Sequence, residues 1–362
     1  MTWIASAALL SLLLIPTAFL FERRMRQARS AKKLTIQSPS GIAETCYVRI
    51  GGIEQWIGIR GEDIGNPALL ILHGGPGCSY SIFTPHLRAW EKYFTIIQWD
   101  QRGSGKTFVR TRKRESGPVN FEQLTHDAIE VAEHVRMRLG KERIFLMGSS
   151  LGSTFGLRVV HRRPDLFYAY IGTDQNVGMK RARNENHDAL VGHLRALGLA
   201  NGVKAVERIG PDPARWSADD FETTMRWTMK SDPPGFKRTM KLLKDAVWYA
   251  PQWTLGNIRA FAAGMRYSLE QLLPEMVQYD AWKEGCHFEI PFFVFQGEAD
   301  VLTTPGEAQA FFNDVDAPVK HFSLIANAGH FAAFLQPDEF LRQLLIHVRP
   351  LSSPSQVGSI EG

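Results

Sequence analysis

Short apolar runs that alternate with helical patterns are the feature that most constrains the fold of this 362-residue chain. Residues 120–139 carry apolar side chains every three or four positions, which predicts an amphipathic helix that ends at Gly140. A second helix is predicted over 151–163, before Pro164, and an opening hairpin within 46–61. Such an alternation is typical of the α/β class with a mostly parallel sheet. Strands buried on both faces are predicted at 68–72, 94–99, 143–147 and 292–296, and further strands at 168–172 and 320–325.

The middle of the chain differs from the parts on either side in its secondary-structure pattern and its tryptophan content. Residues 176–285 are poor in strand patterns and hold five of the nine tryptophans. We interpret them as a helical cap inserted between two strands of one sheet. The core then has a first part at 34–175 and a second part at 286–350, and residues 351–362 are predicted to be a disordered tail.

The net charge of +5 is concentrated in one short segment. Residues 22–33 contain six basic residues and one acid, while the rest of the chain carries 36 charges of each sign. A neutral body argues against binding to nucleic acid. The three cysteines are odd in number and widely spaced, so we predict neither a disulfide framework nor a cysteine-based zinc site. No metal or organic cofactor is predicted.

The residues before this basic segment have the length of a membrane span. Residues 3–21 are free of charge and would extend about 28 Å as a helix, close to the thickness of a bilayer core. Because the basic residues follow the apolar run, the rest of the chain is predicted to lie on the cytoplasmic side. Residues 1–33 are therefore predicted to be a single-pass membrane anchor with a basic collar, and a cleaved organellar presequence is the alternative.

A candidate nucleophile lies between a predicted strand and a predicted helix. Residues 148–152 read Gly-Ser-Ser-Leu-Gly, the G-x-S-x-G pattern with Ser150 at its centre. The two glycines leave room for a sharp turn, and the helix N-terminus favours negative charge that develops on the serine oxygen. Alone, the pentapeptide is a weak signal, but its place between strand and helix makes Ser150 the candidate nucleophile.

A serine nucleophile needs a base, and the base needs an acid to orient it. Asp300 lies just after the strand 292–296, and His330 lies just after the strand 320–325. We predict His330 as the general base and Asp300 as its orienting acid, with Glu298 as the nearest rival acid. Structural roles for either residue, in a turn or in the core, remain alternatives.

Two glycine-rich turns follow other strands. Residues 73–77 read His-Gly-Gly-Pro-Gly, and their backbone is suited to stabilising an oxyanion. The predicted donors are the amides of Gly75 and Leu151, whereas His73 is predicted to be structural. The turn 100–105 resembles the end of a phosphate-binding loop, but Asp100 occupies the position of the first glycine. It is therefore predicted to be a structural turn.

Taken together, these motifs resemble the α/β-hydrolase superfamily, and within it the proline iminopeptidase-like branch (peptidase family S33). The resemblance covers residues from about 45 to 348 and implies an eight-stranded sheet with a helical cap after strand six. It also implies the chain order Ser150, Asp300, His330 for the catalytic residues. The motifs that carry it are HGGPG at 73–77, DQRGSG at 100–105, GSSLGST at 148–154, GEAD at 297–300 and AGH at 328–330.

The chain departs from that branch in two places. Leu151 stands where these peptidases usually have tryptophan, and the cap around Trp227 lacks the acid that helps to hold the free amine of the substrate. Possible substitutes for that acid are Glu222, Glu270 and Glu275.

The predicted function is that of a serine hydrolase that cleaves a small-molecule ester or amide, or a short peptide, through an acyl-enzyme. Prolyl aminopeptidase activity is the alternative. A non-catalytic binding protein of the same fold is a further alternative, but such proteins normally lack a member of the triad, and here all three residues are present.

Overall fold

The computed structural model describes residues 2–179 and 183–352, with side chains from 17 to 179 and from 186 to 352. Within these residues the chain forms an eight-stranded sheet. The predicted tail, residues 351–362, lies outside them except for its first two residues. The strands are β1 Ile42–Ile50, β2 Ile53–Gly61, β3 Ala68–Leu72, β4 Thr95–Asp100, β5 Ile144–Ser149, β6 Phe167–Thr173, β7 Phe292–Gly297 and β8 Lys320–Ile325.

The order of strands in the sheet is β1-β2-β4-β3-β5-β6-β7-β8. The pairs β1–β2 and β2–β4 are antiparallel, and every other pair is parallel. The prediction of a mostly parallel, eight-stranded sheet is therefore confirmed. Strand ends differ from the predicted ones by a few residues, and β5 extends to Ser149, so that it includes the first two residues of the serine motif.

Both faces of the central strands are buried against apolar layers. In β3, Leu70 and Leu72 belong to one hydrophobic cluster, and Leu69 and Ile71 belong to the other. This division follows from the alternation of side chains along a strand. Because both layers are apolar, these strands read as continuous hydrophobic runs, which is why the sequence predicts them well.

The helices within residues 105–162 and 305–343 belong to the parts of the chain that form the sheet, and those within residues 183–284 all fall between β6 and β7. The predicted helix over 120–139 begins after Asn120, whose side chain accepts a hydrogen bond from the Gln123 amide, and ends at the left-handed Gly140. The helices are α1 Thr2–Lys33, α2 Gly105–Glu115, α3 Phe121–Leu139, α4 Leu151–Arg162, α5 Arg183–Ala196, α6 Ala200–Ile209, α7 Ala218–Lys230, α8 Pro233–Tyr249, α9 Leu255–Met276, α10 Ala281–Glu284, α11 Pro305–Asp314, α12 Ala332–Leu335 and α13 Pro337–Gln343.

The second half of α1 packs on the body of the protein. The Arg23 side chain is only 6% exposed and donates hydrogen bonds to the carbonyl oxygens of Trp248 (2.9 Å) and Trp253 (2.5 Å). Gln27 donates to the carbonyl oxygen of Ala250 at 2.7 Å. The end of this helix is thus joined to the end of α8.

The predicted membrane segment, residues 3–21, lies in the N-terminal part of α1. Of these residues, 3–16 are outside the set whose side chains are described. Across the described part of the chain, none of the helices combines the length and the apolar character that crossing a bilayer requires. The membrane anchor stays a prediction.

Candidate active site

Polar residues follow five neighbouring parallel strands at the same edge of the sheet. The strands β3, β5, β6, β7 and β8 are consecutive in the sheet, and their carboxyl ends meet at this edge. Crevices at the carboxyl ends of parallel strands are the usual sites for ligands in open α/β sheets. The residues that follow these strands are His73, Ser150, Asp174, Asp300 and His330, respectively.

Ser150 lies in a strained turn between β5 and α4. Its φ of 54° and ψ of −126° are unusual for a residue that is not glycine. A side chain at position 148 would place its Cβ 2.7 Å from the Cα of Ser153, so only glycine fits there. The turn holds the serine at the N-terminus of α4, as the sequence motif predicts.

Ser150, His330 and Asp300 form one hydrogen-bonded chain. The Ser150 hydroxyl lies 3.1 Å from Nε2 of His330, and Nδ1 of His330 lies 2.9 Å from Oδ2 of Asp300. With its proton on Nδ1, the imidazole donates to Asp300 and accepts from Ser150. This arrangement can transfer a proton from the serine to the histidine.

Asp300 is held in place by its own loop. Its Oδ1 accepts hydrogen bonds from the amides of Leu302 (2.8 Å) and Thr303 (3.1 Å), and its Oδ2 accepts one from the Thr303 hydroxyl (2.8 Å). Glu298, the rival acid, is exposed and lines a neighbouring cavity, and no hydrogen bond to His330 is seen for it among the described residues. The structure therefore places Asp300, and not Glu298, against His330.

The loop 73–77 lies directly against the serine. A Cβ added to Gly74 would be 3.2 Å from the Ser150 Oγ, and Gly75 has a φ of 126° that favours glycine. Leu151 is the first residue of α4, so its amide has no acceptor within the helix. Gly75 and Leu151, the two predicted oxyanion donors, line the same cavity as Ser150 and His330.

His73 and the turn 100–105, which were predicted to be structural, are buried and hydrogen-bonded within the protein. The buried His73 lies 2.9 Å from both the Gly74 carbonyl oxygen and the Ser104 hydroxyl, and burial lowers its pKa to about 4. The guanidinium of Arg102 is paired with Asp127 at 2.9 Å, and both side chains are buried. The turn 100–105 thus supports the loop beside the serine.

The sequence matches the alpha/beta hydrolase family over residues 69–343. The chain is an alpha/beta hydrolase. It is 27% identical over 323 residues to the probable aminopeptidase YbaC of Bacillus subtilis, covering 87% of this chain and 99% of that protein. It is 30% identical over 302 residues to a proline iminopeptidase of Lactobacillus delbrueckii subsp. bulgaricus, covering 83% and 95% of the two chains.

Solved structures agree with this fold. The proline iminopeptidase of Mycobacterium smegmatis superposes with a TM-score of 0.58 at 19% identity, over 84% of this chain and 96% of that one. The 30% identity to the Lactobacillus proline iminopeptidase places the hydrolase in the proline iminopeptidase-like branch.

Asp174 is a buried acid of the site that the sequence analysis missed. It follows β6, and its Oδ1 accepts hydrogen bonds from the amides of Phe331 (3.1 Å) and Ala332 (3.2 Å). Its Oδ2 accepts one from the Ser149 hydroxyl at 2.9 Å. The only signal in the sequence was its place directly after a strand, because no motif surrounds it.

Asp174, Asp300 and His330 make one compact cluster, with a ligand-type atom from each lying within 4.8 Å of the others. Burial raises the pKa of Asp174 to about 6. Burial also acts to lower the pKa of His330, but the negative charges of Asp300 and Asp174 outweigh it and raise that pKa to about 9. The two acids thus favour the protonated imidazole.

The three acids considered for binding a substrate amine are placed differently. Glu222 lines the cavity beside Ser150. Glu270 pairs with Arg266 at 2.8 Å, and Glu275 accepts a hydrogen bond from the Phe121 amide at 3.2 Å. Of the three, Glu222 is the acid that reaches the cavity.

Proposed function

We propose that this alpha/beta hydrolase is a serine hydrolase that cleaves an ester or amide bond through an acyl-enzyme. The observation that carries the proposal is the hydrogen-bonded chain from Ser150 through His330 to Asp300. It is supported by the position of the serine in the cavity beside the amides of Gly75 and Leu151.

In the first half of the reaction, the Ser150 oxygen attacks the carbonyl carbon of the substrate, and its proton moves to Nε2 of His330. The amides of Gly75 and Leu151 donate to the negative oxygen of the tetrahedral intermediate. The imidazolium then gives its proton to the leaving alcohol or amine as the bond to it breaks, and Ser150 keeps the acyl group.

In the second half, water attacks the acyl-enzyme while His330 takes its proton. Collapse of the second intermediate releases the acid, and the proton returns from His330 to Ser150. Asp300 keeps the imidazole in the orientation and tautomer that both halves need.

A fluorophosphonate reagent tests the assignment of the nucleophile. We expect it to label the folded protein but not Ser150→Ala, and Ser40→Ala, a change at an exposed serine, is the matched control. Loss of Ser150 should lower kcat by a factor on the order of 10⁶. Labelling that survives in Ser150→Ala would refute the proposal.

Prolyl aminopeptidase activity is the second candidate, favoured by the names of the relatives and by Glu222 in the cavity. Proline naphthylamide should be compared with acyl nitrophenyl esters at equal enzyme concentration. A preference for the proline substrate that is lost in Glu222→Gln would favour this candidate over an esterase.

The apolar run at residues 3–21 and the basic residues after it support a place at the cytoplasmic face of a membrane. Full-length protein should stay in the membrane fraction in high salt and leave it only with detergent, because salt screens charge attraction but not apolar insertion. Release by salt alone, or a mature N-terminus near residue 30, would contradict the anchor.

A further inference from the structure

The cavity beside Ser150 is unusually rich in methionine. It has a volume of about 560 Å³, within the usual range for small-molecule sites. Of the ten methionines in the chain, six line this one cavity. They come from the loop after β6 and from α7, α8 and α9, and they are Met179, Met225, Met229, Met240, Met265 and Met276.

The rest of the wall is also apolar. Aromatic and aliphatic side chains complete it, among them Phe221, Phe236, Leu243, Val247 and Phe261. Polar groups are concentrated at the end that holds Ser150 and His330. A chain of methylene groups could therefore lie along this wall without leaving a polar atom of the protein unpaired.

Charged groups lie where the cap helix α7 is open to solvent. Among the described lining residues, Glu222 and Arg226 are the acid and the base outside the catalytic end, and both are exposed. Glu222 also lies 3.5 Å from the guanidinium of Arg266. The interior of the cavity thus offers little to a charged substrate group.

Methionine suits a flexible apolar ligand. Its side chain is unbranched and polarisable, so a wall of methionines can adapt to chains of different length and shape. A small rigid ring such as proline would leave much of this volume unfilled, and its free amine would find no buried acid among the described lining residues, since Glu222, the acid among them, is exposed.

From this wall, we infer that the cavity binds the linear apolar acyl chain of the substrate, so that the enzyme acts on esters of medium- and long-chain fatty acids. The inference rests on the proposed function, since the acyl group must be transferred to Ser150. It names the substrate class of that site.

The test is a series of p-nitrophenyl esters from acetate to decanoate, each kept below its critical micelle concentration. Each buried methylene contributes about 0.8 kcal/mol, which corresponds to at most about a fourfold gain in kcat/KM. We expect kcat/KM to rise at least about tenfold between acetate and octanoate.

A variant of the wall shows whether the gain arises in this cavity. Met229→Gln keeps the length of the side chain but adds a polar amide, so the octanoate-to-acetate ratio of kcat/KM should fall about fivefold or more. Met137→Gln, on the outer face of α3 where Met137 is 77% exposed, should leave the ratio unchanged. The ratio is measured within one preparation, so a partly unfolded sample does not distort it.

The outcomes separate this inference from the proposed function. Labelling by fluorophosphonate together with a flat or falling chain-length series would overturn the acyl-chain site and leave the serine hydrolase intact. A rising series that Met229→Gln does not alter would overturn the assignment to this cavity. Failure to label and to cleave any ester would overturn the proposed function, and the acyl-chain site with it.

Discussion

Replacing Asp174 by asparagine removes one of the two negative charges beside His330. The new side chain has nearly the same shape, and its oxygen can still accept hydrogen bonds from the amides of Phe331 and Ala332. The Ser149 hydroxyl can rotate to accept from the amide nitrogen and donate to Tyr80, whose hydroxyl lies 2.9 Å away. The main change is therefore electrostatic.

The structure sets the size and the sign of the effect. A carboxylate oxygen of Asp174 lies within 4.8 Å of a ring nitrogen of His330. At an effective dielectric constant of about 20, unit charges about 5 Å apart interact by about 3 kcal/mol, which is equivalent to roughly two pH units in the pKa of His330. Asp174, whose pKa is about 6, is ionised in the pH range where His330 titrates, so we expect its loss to lower the pKa of His330 by roughly two pH units.

The sign follows from the role of the base. His330 must be neutral to accept the proton of Ser150, so in the wild type kcat/KM should rise with pH through about 9, the raised pKa. In Asp174→Asn the same rise should occur at lower pH. Near pH 7 the variant should therefore reach a larger fraction of its own maximum than the wild type does.

The assay is kcat/KM for p-nitrophenyl acetate between pH 5.5 and 10, corrected for spontaneous hydrolysis. Asp165→Asn, at an exposed acid that pairs with Arg163, is the matched control and should have the wild-type profile. The reasoning fails if the wild-type rise is centred near 6.5, the ordinary pKa of histidine, or if Asp174→Asn has the same profile as the wild type.

Other changes test the framework around the site. Deleting residues 1–33 should destabilise the protein more than deleting 1–16, because only the longer deletion removes Arg23, a charged donor that contributes about 1.5–3 kcal/mol per hydrogen bond. Urea unfolding of both truncated proteins measures this difference, and similar unfolding midpoints would contradict it. Arg102→Met should cost about 3–5 kcal/mol, because it leaves Asp127 charged and buried without its ion pair, and an unchanged unfolding midpoint would contradict that. Gly152→Ala should abolish fluorophosphonate labelling, because the added Cβ would overlap the Leu72 carbonyl oxygen; labelling at the wild-type rate would show that the turn tolerates it.

The sequence could predict the sheet and three residues of the candidate site, Ser150, Asp300 and His330, because each is marked by a short sequence pattern. Central strands that are buried on both faces appear as apolar runs, and a serine at a sharp turn requires small residues at fixed spacing. Asp300 and His330 could be found because each follows a recognisable strand. Their contact with each other depends on β7 and β8 being neighbours in the sheet, which the structure shows.

Asp174 and the methionine wall could not be predicted in this way. Asp174 lies in a polar loop without a motif, and it approaches His330 only because β6 lies between β5 and β7 in the sheet. The six methionines are spread over about a hundred residues and lie on three helices and a loop. They come to line one cavity only when the cap helices pack on the core, and no local sequence pattern predicts that packing.

The basic segment at 22–33 shows what a charge count leaves out. Six basic residues within twelve positions suggest a segment exposed to solvent. The Arg23 side chain is nevertheless buried and donates hydrogen bonds to the carbonyl oxygens of Trp248 and Trp253. Trp248 is in the last turn of α8, where carbonyl groups lack partners within the helix and the helix dipole favours a positive charge. Arg23 therefore caps α8 from another helix. Since Val247, the residue before Trp248, lines the cavity beside Ser150, the second half of α1 supports a helix that forms part of the wall of that cavity.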